Sequence, residues 1–356
     1  MALQGSGQIS ASQIANEFGY TNGSETRLGS YRTTNGQGNF PVSFGALQFN
    51  SIDAQSGGSV PTSGQIKFSD FYGTRLQQVV NFYGSGRGGN RLIAKDRYNS
   101  GGSNDVNVVG NYRTRPNNSS GTKVHIHVNQ QIGSEKTRVE HCALRTGSWD
   151  SSTTLQVDVG GSGRIAGAGG DGGRGSNSSN GNSTFGRGGD GTSGLGVQYN
   201  PTTVNVASGG AITAGFGGGG GGGGAYDTDK EGSRTASGGG GGGGAGIPAG
   251  AGGAAGFNAG VNGGPGSAGS ASEGGTGGNN ANNDGEAVSG RGGDGGEASN
   301  PADAGNQGNG GEGSTYSPGP AGSPGAAIRR NSGFTVNVNI ASSGSVNGVQ
   351  NATTVL

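Results

Sequence analysis

Two uninterrupted glycine runs constrain this chain more than any other feature. The runs cover Gly217–Gly224 and Gly238–Gly244, within a stretch (residues 160–330) that holds 63 of the 88 glycines in the 356-residue chain. Glycine has no side chain to bury and loses the most conformational entropy on ordering. This stretch therefore cannot fold around an ordinary apolar core. It is either a flexible linker or a structure in which backbone packs directly on backbone.

Backbone can pack on backbone when glycine adopts the polyproline-II-like helix, which has three residues per turn and no internal hydrogen bonds. All N–H and C=O groups then point outward and can bond to neighbouring helices, each bond contributing about 0.5–1.5 kcal/mol. The collagen arrangement requires glycine at every third position, and both long runs break that period. We therefore predict a sandwich of short polyglycine-II helices within one chain.

A charge pattern fits a helix with three residues per turn. The phrase Gly-Arg-Gly-Gly-Asp-Gly at residues 186–191 recurs at 290–295, and positions i and i+3 of such a helix share a face. Three ion pairs are expected: Arg187 with Asp190, Arg291 with Asp294, and Asp171 with Arg174. Such solvated pairs contribute little energy, and we interpret them as marks of a helical repeat rather than as binding sites.

Strand-like segments bracket the glycine. Residues 155–165, 203–212 and 336–346 each alternate apolar and polar residues, turn at Gly or Ser, and resume with Ile or Val. That pattern predicts a half-buried strand followed by a tight turn, and Val124–Val128 adds a further alternating strand. We predict a β-layer that begins near residue 122, returns near 204 and closes with 334–340, clamping both ends of the glycine region.

The N-terminal residues predict a small module with a short helix. Ser10 suits the N-cap, and Gln13 completes a capping box with it. Ile9 and Ile14 fall at the positions of a hydrophobic staple. A second phrase, residues 61–73, ends in a predicted single helical turn.

The predicted fold class is thus mostly β and irregular, with three components: the N-terminal module, the β-strand layer and the polyglycine-II sandwich. We expect four domains: an attachment module (1–80), a β-rich domain (81–159), the glycine-rich domain with loops (160–330) and a strand tail that closes the β-layer (331–356).

Several phrases resemble virion proteins of tailed phages. The pair GQISASQIANEFG and PTSGQIKFSDFYGT resembles a module common at the N termini of such proteins, and TGSWDSSTTLQVDVGGSGRIAGAGGDGG resembles glycine-rich phage tail proteins. The long glycine blocks resemble the distal tail-fibre adhesins of T-even-like phages. In that family a polyglycine-helix sandwich displays variable loops that bind the host surface. This chain departs from the T-even adhesins by carrying its own N-terminal module.

The segment between the two long runs, residues 225–236, is the main candidate for host contact. If the runs are adjacent helices about 25 Å long, this segment is the loop at their tip. Its candidate contact residues are Tyr226, Asp227, Asp229, Lys230, Glu231 and Arg234. Tyrosine among short polar residues suits adaptable recognition, although a solvated turn is the simpler interpretation. Residues 177–185, 279–288 and 312–317 are further loop candidates.

No pattern predicts catalysis or a cofactor. His125 and His127 share one face of a predicted strand and are considered as metal ligands, but surface or interface histidines are the favoured interpretation. Cys142 is a lone thiol, which excludes an internal disulfide framework. Residues 160–330 carry eight Lys or Arg against twelve Asp or Glu, and this sign opposes phosphate binding. We expect no enzyme activity, no cofactor, no resident metal, no nucleic-acid partner and no membrane insertion.

The resemblance implies a phage tail-fibre or tail-tip adhesin. A structural virion protein without receptor contact is the alternative, and a polysaccharide depolymerase with paired carboxylates is a third class. Expected partners are tail, baseplate or fibre proteins through the N-terminal module, a host glycan or outer-membrane protein, and further copies of the chain in a trimer. The N terminus MALQGSGQIS lacks a signal sequence. We therefore expect synthesis in the host cytoplasm and a place in the virion, on the tail or the capsid surface.

Overall fold

The described part of the chain is built almost wholly of strands and glycine-rich segments. The computed structural model describes residues 3–17, 28, 43–44, 47–49, 52–54, 61, 63–82, 123–134, 136, 138–146, 154–177, 186–229, 232–257, 260–303, 305–306 and 314–355. Among these residues there are twenty-one strands and one α-helix. No helix in those ranges has the length and apolar character needed to cross a membrane.

The α-helix, α1 (Ala11–Glu17), begins where the capping pattern predicts. The Gln13 N–H donates to Oγ of Ser10 (3.2 Å), and the Ser10 N–H donates to Oε1 of Gln13 (2.7 Å). These two reciprocal bonds are the capping box, so that prediction is confirmed. Ile14, one of the two staple positions, is fully buried.

The second N-terminal phrase contacts the first. Its predicted helical turn is present as the 3₁₀ helix Phe68–Phe71. The Gly73 N–H donates to the carbonyl of Gln4 (3.1 Å), and the Tyr72 hydroxyl donates to the carbonyl of Gly7. The two phrases therefore belong to one small unit.

A nine-residue strand connects this unit to the rest of the fold. Strand β4 pairs antiparallel with two short strands, β2 and β3, and parallel with the next strand along the chain, while β1 pairs with β2. The bounds are β1 (Ser43–Phe44), β2 (Leu47–Phe49), β3 (Ile52–Ala54) and β4 (Thr74–Phe82).

Beyond β4 the chain winds four times around one apolar core, and each turn adds one strand to each of three parallel sheets. The first turn is β5 (Lys123–Val128), β6 (Gln131–Ile132) and β7 (Cys142–Arg145); the second is β8 (Thr154–Val159), β9 (Arg164–Ala166) and β10 (Ser193–Val197); the third is β11 (Thr202–Val206), β12 (Ala211–Thr213) and β18 (Ile328–Arg330); the fourth is β19 (Val336–Ile340), β20 (Ser345–Asn347) and β21 (Ala352–Thr353). We call this part the solenoid.

The three resembling sequence segments lie side by side in the solenoid, as predicted. Val204 on β11 pairs with Val157 on one side and Val338 on the other. After the Gly/Ser turns, Ile212 pairs with Ile165 and Val346 in the same way. Val157, Val204, Ile165 and Ile212 are completely buried. The alternation of apolar and polar residues therefore sets the register of the stack.

Two excursions leave the solenoid between its second and third sheets, after β9 and after β12. They contain ten glycine-rich segments that belong to no helix and, apart from isolated bridges, to no sheet; we call them the lattice. Within the described residues these segments are 167–177, 186–192, 214–224, 237–245, 250–257, 261–270, 274–280, 289–296, 301–306 (without 304) and 316–326.

Backbone hydrogen bonds join the lattice segments with a period of three residues. Gly239, Gly240 and Gly241 donate their N–H groups to carbonyls in three different segments, those of Gly290 (3.1 Å), Gly264 (3.0 Å) and Gly173 (2.7 Å). The next three glycines repeat this order, with bonds to Gly293 (2.9 Å), Ser267 (3.0 Å) and Gly170 (2.8 Å). Each segment is thus bonded to several neighbours at once.

The close approach of these backbones requires glycine. A Cβ built on Gly241 would lie 2.6 Å from the carbonyl carbon of Gly219 and 2.9 Å from the carbonyl oxygen of Gly220. Carbon atoms in van der Waals contact are about 3.5–4.0 Å apart. Any side chain at this position would force two segments apart.

Two of the three predicted i,i+3 ion pairs are present, and the third is wrong. Arg187 reaches Asp190 (2.6 Å) and Arg291 reaches Asp294 (2.7 Å). Asp171 instead accepts from Nζ of Lys136 (2.7 Å) and from the Ala251 N–H (2.7 Å). The guanidinium of Arg174 lies 4.1 Å from the ring centroid of Phe257. Partial burial works against the charged carboxylate of Asp171, yet these two hydrogen bonds hold its pKa below the ordinary value.

Candidate functional site

The segment between the two long glycine runs is a β-hairpin. Strands β13 (Ala225–Asp229) and β14 (Gly232–Ala236) pair antiparallel, and the glycine runs that lead into and out of them are themselves bonded antiparallel. The Gly219 N–H donates to the carbonyl of Gly242, and the Gly222 N–H to that of Gly239, both at 2.8 Å. The two runs are therefore neighbours, as predicted, and the hairpin lies at their common end.

Successive lattice segments run in opposite directions, so the segments begin and end at two opposite ends of the lattice. Because successive segments alternate in direction, the described residues that flank five connections lie at the end away from the solenoid, which we call the distal end. Counted along the sequence, these connections are 178–185, 225–236, 258–260, 281–288 and 307–315. All four loop candidates chosen from the sequence fall on the distal connections or overlap them.

Three of the distal connections contact one another in the described residues. Strand β17 (Ser314–Thr315) adds to the hairpin by pairing with Ala225 and Tyr226. A second hairpin, β15 (Asn282–Asn283) with β16 (Ala287–Val288), packs against the first. The contact is a cluster of four buried alanines: Ala225, Ala236, Ala281 and Ala287. The distal end is therefore a packed group of short strands.

A group of charged side chains adjoins the alanine cluster. Arg234 on β14 forms a close ion pair with Oε2 of Glu286, and its Nε lies 4.0 Å from Oδ2 of Asp284. Asp227 pairs in register with Arg234 and so shares its face of the hairpin. Asp227 is only 4% exposed, and its Oδ1 has no hydrogen-bond partner. Asp284 is 81% exposed in its side chain and has a left-handed φ of 54°. We call these four residues the acidic cluster.

The described candidate contact residues lie in different environments. Tyr226 is half-buried on the opposite face from Asp227, whereas Asp229 is the last residue of its strand. Lys230 and Glu231 lie outside the described residues. Arg234 is held by carboxylates of the second hairpin. Of the other loop candidates, residues 178–185 and 312–313 also lie outside the described part.

The distal connection 258–260 was missed by the sequence reasoning. Its flanking residues Phe257 and Val261 are 47% and 37% exposed, among the few large apolar side chains exposed in the described structure. The Phe257 N–H donates to Oδ1 of Asn177 (2.9 Å), which ties this connection to the first one. Only the alternation of segment directions identifies it, because its own sequence, Asn-Ala-Gly, resembles any other short turn.

The histidine pair lies on the first strand of the solenoid. His125 and His127 on β5 pair in register with Gln156 and Asp158 of β8. Among the residues that the structure describes, no three His, Cys, Asp or Glu side chains are grouped so that they could hold a metal ion. The metal interpretation thus gains no support.

A shallow groove of about 470 Å³ lies at the carboxyl end of the first sheet. Its polar side chains form a row in which Asn339 donates to Asn205 (2.8 Å) and Asn205 donates to Asp158 (2.7 Å). These two hydrogen bonds link three turns of the solenoid across its outer surface. They explain the row of polar side chains without a bound ligand.

The fold and the distal end together define a glycine-rich β-solenoid protein, in which a solenoid carries a backbone-bonded lattice and the lattice carries packed hairpins. The family model for the phage tail fibre adhesin Gp38 matches residues 97–350, more than two thirds of the chain. The chain therefore belongs to the phage tail fibre adhesin Gp38 family. No curated protein and no solved structure matches it. Membership indicates a tail-fibre protein of the phage virion and supports the resemblance stated from the sequence.

Proposed function

We propose that this adhesin binds the host cell surface through its distal connections, and that the lattice is a rigid polyglycine-II scaffold that presents them. The three-residue period of the backbone bonds supports the scaffold, since a polyglycine-II helix has three residues per turn. A segment of ten residues would then span about 31 Å. That length sets the distal end well away from the solenoid.

The proposal rests mainly on one observation, which is that three of the distal connections pack against one another. Hairpin 225–236, hairpin 282–288 and strand 314–315 come from three separate parts of the chain, yet they pack together at one end of the lattice. Binding residues are commonly placed on connections that a rigid framework positions. The proximal connections, such as residues 297–300, lie at the opposite end.

We further propose that the N-terminal unit attaches the protein to the rest of the tail fibre. Its two phrases are bonded to each other at Tyr72 and Gly7 and share no element with the lattice. Replacing the fully buried Ile14 with Asp should disrupt this unit. Phage carrying Ile14→Asp should then lack the adhesin, whereas the purified variant should still bind cells.

The host-binding proposal is tested by replacing residues 225–236 with a Gly-Ser segment of equal length and measuring adsorption of the purified protein to susceptible cells. The matched control replaces the proximal connection 297–300 in the same way. Adsorption should be lost only in the distal variant. Equal adsorption by both variants would favour the alternative, a structural virion protein without receptor contact. Circular dichroism confirms that each variant is folded.

A further inference from the structure

The excess of negative charge in residues 160–330 falls in the five connections between lattice segments. Counted along the sequence, the five distal connections contain six acidic residues and two basic ones: Asp227, Asp229, Glu231, Asp284, Glu286 and Glu312 against Lys230 and Arg234. The remainder of residues 160–330 contains six acidic and six basic residues. The whole excess of four negative charges in this region thus belongs to the connections that we propose to bind the host.

Part of this excess belongs to the acidic cluster, where Arg234 lies beside two carboxylates and Asp227 is its cross-strand neighbour. Arg234 forms ion pairs with Glu286 and, more loosely, with Asp284. Asp227 is 4% exposed, and its Oδ1 accepts no hydrogen bond. A buried oxygen without a donor is costly, and the cost would be relieved by a ligand that brings an N–H group to it.

Two carboxylates of the acidic cluster differ strongly in their exposure to solvent. Asp284 projects from a turn with its side chain 81% exposed, whereas Asp227 lies on the inner face of the hairpin. An exposed carboxylate steers a cationic ligand from solution, and a buried one interacts with it more strongly because water no longer screens the charges. Among the described residues no group of three His, Cys, Asp or Glu side chains could hold a metal ion, and an organic cation needs no such group.

We infer that the distal end recognises a lysine- or arginine-bearing segment of a host-surface protein, whose cationic side chain binds at Asp227 and Asp284. This inference rests on the proposed function. An anionic polysaccharide or lipopolysaccharide is disfavoured, because its phosphates and carboxylates would meet an excess of like charge.

The experiment uses the full-length protein and three probes: a fluorescent decapeptide of alternating lysine and serine, its glutamate counterpart, and purified lipopolysaccharide. Dissociation constants are measured at 50 and 500 mM NaCl for the wild type, Asp284→Asn, Asp227→Asn and the control Glu273→Gln. Asparagine tolerates the left-handed φ of Asp284, so Asp284→Asn keeps the turn. Glu273 is exposed in a proximal turn, so its variant removes the same charge at the other end.

The lysine peptide should bind the wild type more tightly than the other probes, and binding should weaken at 500 mM NaCl because salt screens exposed charges. Asp284→Asn should weaken peptide binding up to about fivefold at 50 mM NaCl, with a larger loss for Asp227→Asn and none for Glu273→Gln. Preference for lipopolysaccharide, or binding that both aspartate variants leave unchanged, overturns the inference.

Cell adsorption of the same variants distinguishes a failure of the inference about the cationic ligand from a failure of the proposed host-binding function. If the peptide result is negative but adsorption still depends on residues 225–236, only the cationic ligand is wrong. If adsorption is independent of those residues, the proposed function itself is wrong. If Asp227→Asn fails to fold, Asp284→Asn alone decides, because its side chain lies on the surface.

Discussion

Replacing Gly241 with alanine tests whether direct backbone contact holds the lattice together. A Cβ at this position would lie 2.6 Å from the carbonyl carbon of Gly219, so the two segments must separate by about 1 Å to restore normal contact. They are joined by three hydrogen bonds of 2.8–2.9 Å, from Phe216, Gly219 and Gly222 to residues of the facing segment. A shift of that size would stretch these bonds beyond the usual hydrogen-bond range.

The expected loss follows from those three bonds. At about 0.5–1.5 kcal/mol net for each bond, Gly241→Ala should lower the free energy of local opening by about 1.5–4.5 kcal/mol. Amide hydrogen exchange measured by mass spectrometry reports this quantity directly. Since 1.4 kcal/mol corresponds to a factor of ten, peptides covering residues 214–245 should exchange about ten- to a thousandfold faster.

The matched control is Gly264→Ala in the same lattice, where the nearest atom to a built Cβ is the Asn279 nitrogen at 3.2 Å. Its exchange rates should change by less than about threefold, because a shift of a few tenths of an ångström restores contact. If Gly241→Ala exchanged at the wild-type rate, the backbone-bonded lattice would be refuted. Equal acceleration in both variants would instead indicate a general effect of alanine.

Three further outcomes are expected. The hydrogen bond from Arg187 is the largest cause that holds the pKa of Asp190 below its ordinary value; its contribution is therefore present at neutral pH and lost as pH falls through that lowered pKa. Asp190→Asn should lower the melting temperature by about 1–2 °C at pH 7, and the difference should shrink in calorimetric scans at successively lower pH. Ile212→Ala in the solenoid core should cost about 2–5 kcal/mol of unfolding free energy in urea titrations, whereas Ile340→Ala, at 46% exposure, should cost under about 1 kcal/mol. Burial raises the pKa of Cys142 to about 12, although two nearby arginines oppose the rise; the thiol should therefore resist iodoacetamide at pH 8 until urea unfolds the protein.

Features encoded over a few neighbouring residues could be predicted from the sequence. The cap of α1 needs only Ser10 and Gln13, which lie three residues apart. The pairs Arg187–Asp190 and Arg291–Asp294 need only a period of three. The first two sheets of the solenoid follow from repeated strand patterns, because identical alternation gives identical register.

The third sheet of the solenoid was not predicted, because its strands lack alternation. Strand β7 reads Cys-Ala-Leu-Arg and is buried at all four positions, and β10 is likewise buried throughout. Continuous burial of this kind is typical of parallel strands covered on both faces, and in a short run it is indistinguishable from an ordinary apolar segment. Its partner β18 follows more than a hundred residues later in the chain.

The neighbours of each lattice segment could not be predicted either. Runs such as Gly217–Gly224 carry no side chains, so the sequence does not distinguish one partner from another. The bonding partners of Asp171 show the same limit, because Lys136 and Ala251 lie 35 and 80 positions away. The acidic cluster likewise joins residues about fifty positions apart. Its members were within the predicted loops, but the ion pair between the loops depends on how the segments pack.

On the proposed function, the division between lattice and connections has a physical basis. The lattice is stabilised by hydrogen bonds between backbone N–H and C=O groups. These bonds require glycine where two backbones approach closely, but they do not involve side chains. The distal connections contribute few of those bonds, so their side chains can change without loosening the scaffold. A hairpin exchange at 225–236 should therefore alter host binding at constant lattice stability, whereas a single added methyl group at Gly241 should do the reverse. Observing both results in one protein would separate the binding surface from the scaffold by experiment.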